Sequence, residues 1–207
     1  MDKLGMLPVY LDSEFTGLHR NTTLISIGLL SQSGYYFYAE FTDYDKSQVT
    51  DWIRDNVVDK LILNDKNGYV SVSENMHYSI TVMGSTEVIR DKLLTWLRNE
   101  STLSGKKIQI YSDCYAYDWV LFNSLICDNG EALNIPDFIY YIPVDLSTAL
   151  QVANVDPDIT REDFVYPIST EEIRRIGLFS DPSVELKHNC LFDAYIQMLC
   201  FEKLGYK

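Results

Sequence analysis

Short apolar stretches in the first forty residues predict three strands that follow one another along the chain. Residues 7–12 are apolar up to Asp12, and residues 23–30 and 35–41 repeat the pattern of a buried strand. The Ser-Gly pair at 33–34 favours a tight turn and therefore a β-hairpin between the last two segments. Because strands adjacent in sequence are usually adjacent in space, we expect all three to lie side by side.

The segment that follows predicts two helices separated by a stretch that is difficult to assign. Residues 47–63 have helical spacing, and the apolar face that this spacing defines consists of Val49, Trp52, Ile53, Val57 and Leu61. A second helix is predicted over roughly 85–99. Between the two, residues 64–84 begin with a turn and end in either a short strand or an extended loop.

The second half of the chain continues the alternation of strands and helices. The predicted elements are a strand at 107–113, a helix at 117–126, a strand within 135–145, a short helix after it, an ordered loop over 154–168 and a final helix at about 189–204. An initial hairpin followed by this alternation predicts one α/β domain over residues 1–207. We expect a mixed five-stranded sheet with helices on both faces.

Composition narrows the class of protein. The 207 residues include 30 acidic and 17 basic side chains, a net charge of −13, which argues against a protein that coats long nucleic acid through its own basic groups. It does not exclude an enzyme that grips a short strand through bound cations. Four scattered cysteines without a CxxC pair favour reduced thiols over a zinc site. With no apolar run long enough for a membrane span, a cytoplasmic protein without membrane contact is expected.

Two acids at the end of the first predicted strand are candidate metal ligands. Asp12 and Glu14 are two residues apart, so in an extended segment they project to the same side. Their mutual repulsion would be relieved by a cation, and hard oxygen ligands suit Mg²⁺ or Mn²⁺. A lone D-x-E is more often a pair of surface acids, but here the aspartate emerges from an apolar strand.

The next four residues are candidates for substrate binding. Phe15 and Leu18 are apolar side chains beside the acids, placed either to stack on a base or to fill the core. Thr16 and Gly17 form a turn between them, and the glycine allows another chain to approach closely.

Two further sites follow the fourth strand and precede the last helix. Asp118 is favoured as a metal ligand, and Asp113 as a turn or cap residue that supports it. His188 and Asp193 are five residues apart, about 140° on one regular helix. Both can face one site only if the histidine lies in the entry loop, with Asn189 as a plausible helix cap.

Together these motifs resemble the DEDDh-type 3′-5′ exonucleases of the ribonuclease H-like fold. Within that family, the character of LISIGLLSQSG at 24–34 followed by YYFY at 35–38 is most similar to the small bacterial and phage exoribonucleases. The strand ending in D-x-E and followed by T-G-L corresponds to LDSEFTGL, the aromatic-Asp pair to Tyr117 and Asp118, and H-x4-D to His188 and Asp193. Order and spacing agree from residue 7 to about 200. Ser112 and Asp113 stand where the family often has an asparagine.

The resemblance implies a chemistry. Two Mg²⁺ or Mn²⁺ ions would be held by Asp12, Glu14, Asp118 and Asp193, with His188 accepting the proton of the attacking water. The substrate would be single-stranded nucleic acid, RNA rather than DNA, cut to nucleoside 5′-monophosphates. Dimers are common among the small RNA-degrading relatives, so a homodimer is compatible with the resemblance. Three alternatives stay open: a DNA-processing or proofreading exonuclease, an endonuclease, and a catalytically silent nucleic-acid-binding module.

Overall fold

A computed structural model describes residues 5–63, 79–127, 134–165 and 187–206. In this part of the chain the strands form one six-stranded sheet in the order β4-β3-β2-β1-β5-β6. The strands are β1 (Met6–Phe15), β2 (Leu24–Ser31), β3 (Tyr36–Phe41), β4 (Ile80–Gly84), β5 (Lys107–Ser112) and β6 (Val144–Asp145).

The direction of the strands follows from how they are connected. β2 runs antiparallel to β1 and to β3, which confirms the predicted hairpin, and Gly34 in its turn donates to Ser31 at 2.9 Å. The pairs β3-β4, β1-β5 and β5-β6 are parallel. β1 is therefore a central strand. Its pairing with β5 ends at Leu11 and Ser112, so Asp12 to Phe15 extend beyond the end of β5.

Helices cover both faces of the sheet. The side chains of β1 point alternately to the two faces, and each face carries apolar residues that pack against helices. Leu7, Val9 and Leu11 pack with α2 (Thr86–Ser104) and α3 (Tyr115–Ile126) on one face. Tyr10 packs on the other face with three helices, α4 (Leu146–Val152), α5 (Arg161–Val165) and α6 (Cys190–Lys203). Asp12 and Glu14 share the alternation of Tyr10, and so lie on the side of α6.

The α/β class is confirmed, but the predicted count of five strands is wrong. The additional strand is β4, which lies at the end of the 64–84 segment, where the sequence allowed either a strand or a loop. Residues 64–78 of that segment lie outside the described residues. The strand predicted within 135–145 is reduced to the two residues of β6 and an isolated bridge from Ile139 to Ile108.

The single helix predicted over 47–63 is also wrong. This segment consists of a 3-10 turn (Lys46–Gln48), α1 (Asp51–Asn56) and a second 3-10 turn (Val58–Lys60). The Thr50 side chain accepts from the Ile53 N–H and starts a new helix, since threonine favours a cap over a helix interior. The helix ends at Val57, where two successive β-branched residues lower helix propensity.

Most of the apolar face predicted for this segment is nevertheless formed. Ile53 and Val57 are buried against Ile25, with Val49 and Leu61 packed alongside, whereas Trp52 is 58% exposed. The predicted loop over 154–168 contains the short helix α5, and its last three residues lie outside the described residues. The helices predicted near 85–99, 117–126, after 145 and 189–204 are all present.

Candidate functional site

The end of β1 projects candidate groups to both sides of the sheet. Asp12 points toward α6, where its Oδ1 accepts a hydrogen bond of 2.9 Å from Gln197 Nε2. Ser13, on the opposite side, is buried and donates to Asp118 Oδ1 at 2.6 Å. The alternation of an extended strand thus directs the two acids of D-x-E to one side and uses the residue between them to hold the third acid.

Asp118 lies in the first turn of α3 and is 1% exposed. Its second oxygen, Oδ2, accepts from Ser112 Oγ at 2.9 Å. Since Ser112 is the last residue of β5, the carboxylate is held between the ends of two neighbouring strands. This is the edge where sites form in sheets with parallel strands.

The start of α6 has the geometry that the five-residue offset requires. Asn189 is the N-cap, and its Oδ1 accepts from the backbone N–H groups of Leu191 and Phe192. His188 lies before the cap and has a left-handed backbone conformation, φ 66°. Its ring therefore does not have to point in the direction that a helical residue at this position would take. Its backbone N–H donates to Asp193 Oδ2 at 3.1 Å, which brings the two motif residues together.

A glycine in β2 permits α6 to reach the acids. Gly28 pairs with Asp12 across the sheet. A Cβ at this position would meet the backbone N of Leu191 at 2.5 Å and the carbonyl C of Cys190 at 2.6 Å. The first turn of α6 therefore lies directly on β2, a separation that only glycine allows.

These segments enclose a cleft of about 270 Å³. Its lining includes all five candidate catalytic residues: Asp12, Glu14, Asp118, His188 and Asp193. Ligand atoms of Glu14, His188 and Asp193 all lie within 4.8 Å of one another, a spacing that could hold a metal ion. Within this group, His188 Nδ1 lies 3.8 Å from Glu14 Oε1.

Crowding of carboxylates in the cleft opposes their ionisation. Burial, followed by the charges of Asp118 and Asp193, raises the pKa of Asp12 well above its usual range. Burial and the same two charges raise the pKa of Glu14 to about 9. Burial, followed by the charge of Glu162, raises the pKa of Asp193 to about 8, against the opposing hydrogen bond from His188. Like charges at such separations need a cation or protons between them.

Asp118 is the least perturbed of the four. Burial raises its pKa to about 6, and the hydrogen bonds from Ser13 and Ser112 oppose this rise because they favour the charged form.

Asp113 also lines the cleft, but it is bound by an arginine. Arg161 at the start of α5 donates through Nε to Oδ2 at 2.7 Å and through Nη2 to Oδ1 at 2.6 Å. The same guanidinium donates to the carbonyls of Pro157 and Ile159 and to Ser147 Oγ. Asp113 therefore has its charge neutralised by the protein, whereas Asp118 receives only neutral donors.

The four candidate substrate-binding residues occupy different environments. Phe15 lines the cleft and stacks on Tyr117, with ring centroids 5.4 Å apart and an angle of 13° between the planes. Thr16 is buried and its hydroxyl donates to Gln48 Oε1, a contact that ties the turn to the segment before α1. Gly17 has φ 149°, and Leu18 is 72% exposed.

Several site residues were not predicted from the sequence. Ser13 and Ser112 position Asp118, Gln197 binds Asp12, and Trp52 contacts the ring of His188 edge-on with centroids 5.4 Å apart. The serines are neighbours of motif residues and could have been found by position. Gln197 is four residues after Asp193, and hence on the same helical face, which is the one signal that the sequence offers for it.

Comparison with models of known protein families gave no match, and comparison with curated proteins gave none either. In the described ranges, every helix is too short or too polar to cross a membrane. All four cysteines are free thiols, as expected. Three are buried, but Cys114, at the start of α3 beside the cleft, is exposed.

Proposed function

We propose that this protein is a metal-dependent 3′-5′ exonuclease of the DEDDh type, with a ribonuclease H-like fold. The observation that carries the proposal is the convergence of three distant motifs in one cleft. Asp12 and Glu14 come from β1, Asp118 from α3, and His188 and Asp193 from the start of α6. The fold supports the assignment, since the first three strands form a meander and helices cover both faces of the sheet.

The residues of the cleft fit a divalent cation. The four carboxylates supply hard oxygen ligands, and together they repel one another in the absence of positive charge. Two basic side chains, Arg161 and Lys187, line the same cleft, but the contacts of the arginine are directed to Asp113, Ser147 and backbone carbonyls. The buried side-chain oxygen of Gln197, Oε1, also lacks a hydrogen-bond donor among the described residues. Hydrated Mg²⁺ or Mn²⁺ bound to Asp12, Glu14, Asp118 and Asp193 would account both for the closeness of the four carboxylates and for the unsatisfied oxygen.

Each group in the cleft would have a distinct role in hydrolysis. Two bound divalent cations would supply Lewis acidity, which makes water more acidic and stabilises negative charge on the leaving oxygen. His188 would accept the proton of the attacking water, because its ring lies beside Glu14 and can reach solvent in the cleft. Ser13 and Ser112 hold Asp118 in the ionised, metal-binding form through hydrogen bonds.

Exposed apolar side chains beside the acids suit an unpaired base. Leu18 is 72% exposed, and the half-buried ring of Phe15 lines the cleft while stacked on Tyr117. Unpaired bases bind by stacking on such side chains, with little dependence on sequence. We infer a single-stranded substrate on this basis, and we favour RNA over DNA because of the resemblance to small exoribonucleases.

The test is to incubate 5′-labelled single-stranded RNA and DNA with the purified protein and Mn²⁺. We expect a ladder of products shortened from the 3′ end, which disappears with EDTA or in Asp12→Ala. The matched control is Asp55→Ala, an exposed acid of α1, which should cleave as wild type does. Inert RNA and DNA in the presence of Mn²⁺ would refute the proposal.

The same gel separates the alternatives. Faster shortening of DNA than of RNA would indicate a DNA-processing enzyme, and internal fragments without a 3′ ladder would indicate an endonuclease. If the strands stay intact, a native gel of the same mixtures would show whether they are bound, and binding without cleavage would indicate a silent binding module.

A further inference from the structure

Gln197 connects the two elements that carry most of the acids. It lies in α6, one turn after Asp193, and is 2% exposed while still lining the cleft. Its Nε2 donates to Asp12 Oδ1 at 2.9 Å, across from α6 to β1. Because this bond occupies one oxygen of Asp12, it fixes the rotation of the carboxylate and leaves Oδ2 for other partners.

The other end of the same amide is unsatisfied. Gln197 Oε1 is buried and has no hydrogen-bond partner among the residues that the structure describes. A buried carbonyl oxygen without a donor is costly and uncommon in folded proteins. The acids that line the same cleft offer only acceptors once a bound cation keeps them ionised. The geometry therefore calls for a donor that the described side chains do not provide.

We propose that Gln197 is a positioning residue of the metal site, which holds Asp12 through its N–H group while its carbonyl oxygen accepts from water in the hydration shell of the bound cation. This inference rests on the proposed function. Mg²⁺ and Mn²⁺ sites in proteins commonly retain water, and such water needs acceptors around it. One amide would thereby orient both a protein ligand and a water ligand of the same ion.

The test is a titration with Mn²⁺ alone, followed by the electron paramagnetic resonance signal of free Mn²⁺ with no nucleic acid present. Gln197→Met keeps the length of the side chain and removes both polar atoms. We expect its Mn²⁺ affinity to fall by about 10- to 100-fold, the usual cost of losing an outer partner of a metal site. The control is Gln109→Met, another buried glutamine, which donates to the Ile142 carbonyl and does not line the cleft.

A second variant isolates the carbonyl oxygen. Gln197→Glu retains an acceptor at this position, and the carboxyl group that it adds also attracts the cation, so we expect a smaller loss of Mn²⁺ affinity than in Gln197→Met. Equal loss in the two variants would overturn the role of the oxygen. Circular dichroism at the titration temperature confirms that each variant is folded, since a merely structural glutamine would change stability and leave the affinity of the folded protein intact.

Failure of this inference can be told apart from failure of the proposed function. Wild-type affinity for Mn²⁺ in folded Gln197→Met would overturn the inference and leave the exonuclease proposal standing. If the KM for RNA rose in that variant at unchanged Mn²⁺ affinity, the oxygen would belong to substrate binding instead. A wild-type protein that binds no Mn²⁺ would overturn both.

Discussion

At the residue scale, two aspartates six positions or fewer from the end of β5 have opposite partners. Asp113 is bound by both nitrogens of the Arg161 fork, and Asp118 accepts from two serine hydroxyls. The sequence favoured Asp118 as the ligand but could not tell whether Asp113 shares the site, because Arg161 is 48 residues away along the chain. A carboxylate paired with arginine is a poor metal ligand, and this contact supports the proposal that Asp118, not Asp113, binds the cation.

Because their partners differ, the same substitution should affect different properties at the two positions: stability at Asp113 and Mn²⁺ affinity at Asp118. Asp113→Asn should cost about 1–3 kcal/mol of stability, because it weakens hydrogen bonds to a charged group that is largely buried. Its Mn²⁺ affinity should stay near that of wild type. Asp118→Asn should lower Mn²⁺ affinity by more than about tenfold. Isothermal titration together with thermal unfolding checks both, and a larger loss of affinity in Asp113→Asn would reverse the assignment.

The contact between Trp52 and His188 carries a second prediction. An edge-on aromatic pair contributes about 0.5–1.5 kcal/mol, which corresponds to about 2- to 13-fold in the occupancy of one ring orientation. Trp52→Ala should lower kcat for RNA within this range at unchanged Mn²⁺ affinity, and Trp52→Phe should lower it less. Tyr141→Ala, at another exposed aromatic residue, is the control. Unchanged kcat in Trp52→Ala would show that the indole does not position the histidine.

At the element scale, the approach of α6 to β2 determines whether the site can form. Gly28→Ala places a methyl group against backbone atoms of Cys190 and Leu191, which cannot rotate away as a side chain could. We expect a loss of about 1–3 kcal/mol from overpacking and weaker Mn²⁺ binding, since α6 must move with Asp193 and Gln197.

Gly84→Ala is the matched control for this prediction. Its new methyl group would meet only the Val88 side chain, at 3.2 Å, at the far edge of the sheet. Thermal unfolding and Mn²⁺ titration of both variants check the effect. Equal Mn²⁺ affinity in the two would mean that α6 tolerates the displacement.

The elements also explain what could be predicted from the sequence. Strand alternation placed Asp12 and Glu14 on one side, and the offset of His188 and Asp193 required a loop before α6, which Asn189 caps as expected. These are local properties of the chain. The break in the 47–63 helix depends on competition between the Thr50 cap and helix propagation, and β4 is formed by pairing with β3, which residues 80–84 alone do not indicate.

Contacts between distant segments could not be predicted from the sequence, for a different reason. Gln197 and Asp12 are 185 residues apart, and Trp52 and His188 come from elements that no local pattern relates. Such contacts exist only once the sheet order and the position of α6 are fixed. The acids of the candidate site could therefore be proposed from the sequence, whereas the contacts of Gln197 and Trp52 could not.

At the scale of the whole molecule, a net charge of −13 limits how nucleic acid can bind. Arg161 and Lys187 are the basic side chains among the described residues that line the cleft, and the arginine is bound to Asp113. Each phosphate neutralised by lysine or arginine contributes about 0.7 to the slope of log K against log salt for a single strand. Cations must then supply most of the attraction.

We therefore expect a shallow dependence of RNA binding on salt. Fluorescence polarisation of labelled single-stranded RNA with His188→Ala in Mg²⁺ should give a slope of magnitude below about 1.5, equivalent to two such phosphate contacts. EDTA should abolish the binding. A slope steeper than about 3, or binding that persists in EDTA, would indicate a basic surface elsewhere on the protein.

The crowded carboxylates also set how the stability of the metal-free protein depends on pH. The pKa of Glu14 is raised to about 9 and that of Asp193 to about 8, so the folded protein holds protons that the unfolded chain releases at much lower pH. Their contribution to stability is complete below the unfolded pKa values and is lost as pH rises through the folded ones. This direction is opposite to that of an ordinary carboxylate in a salt bridge.

In EDTA, the Tm should accordingly fall between about pH 6 and pH 9, by more than the roughly 2–4 °C that 1 kcal/mol produces in a chain of this size. Glu14→Gln should have a flatter profile, because it removes one titrating group, while ionisation of the buried thiols affects it and wild type alike. Saturating Mg²⁺ should flatten the wild-type profile as well, since a bound cation stabilises the ionised acids. A wild-type profile in EDTA as flat as that of Glu14→Gln would mean that these acids do not oppose one another in solution, and the electrostatic case for a metal site would fall with it.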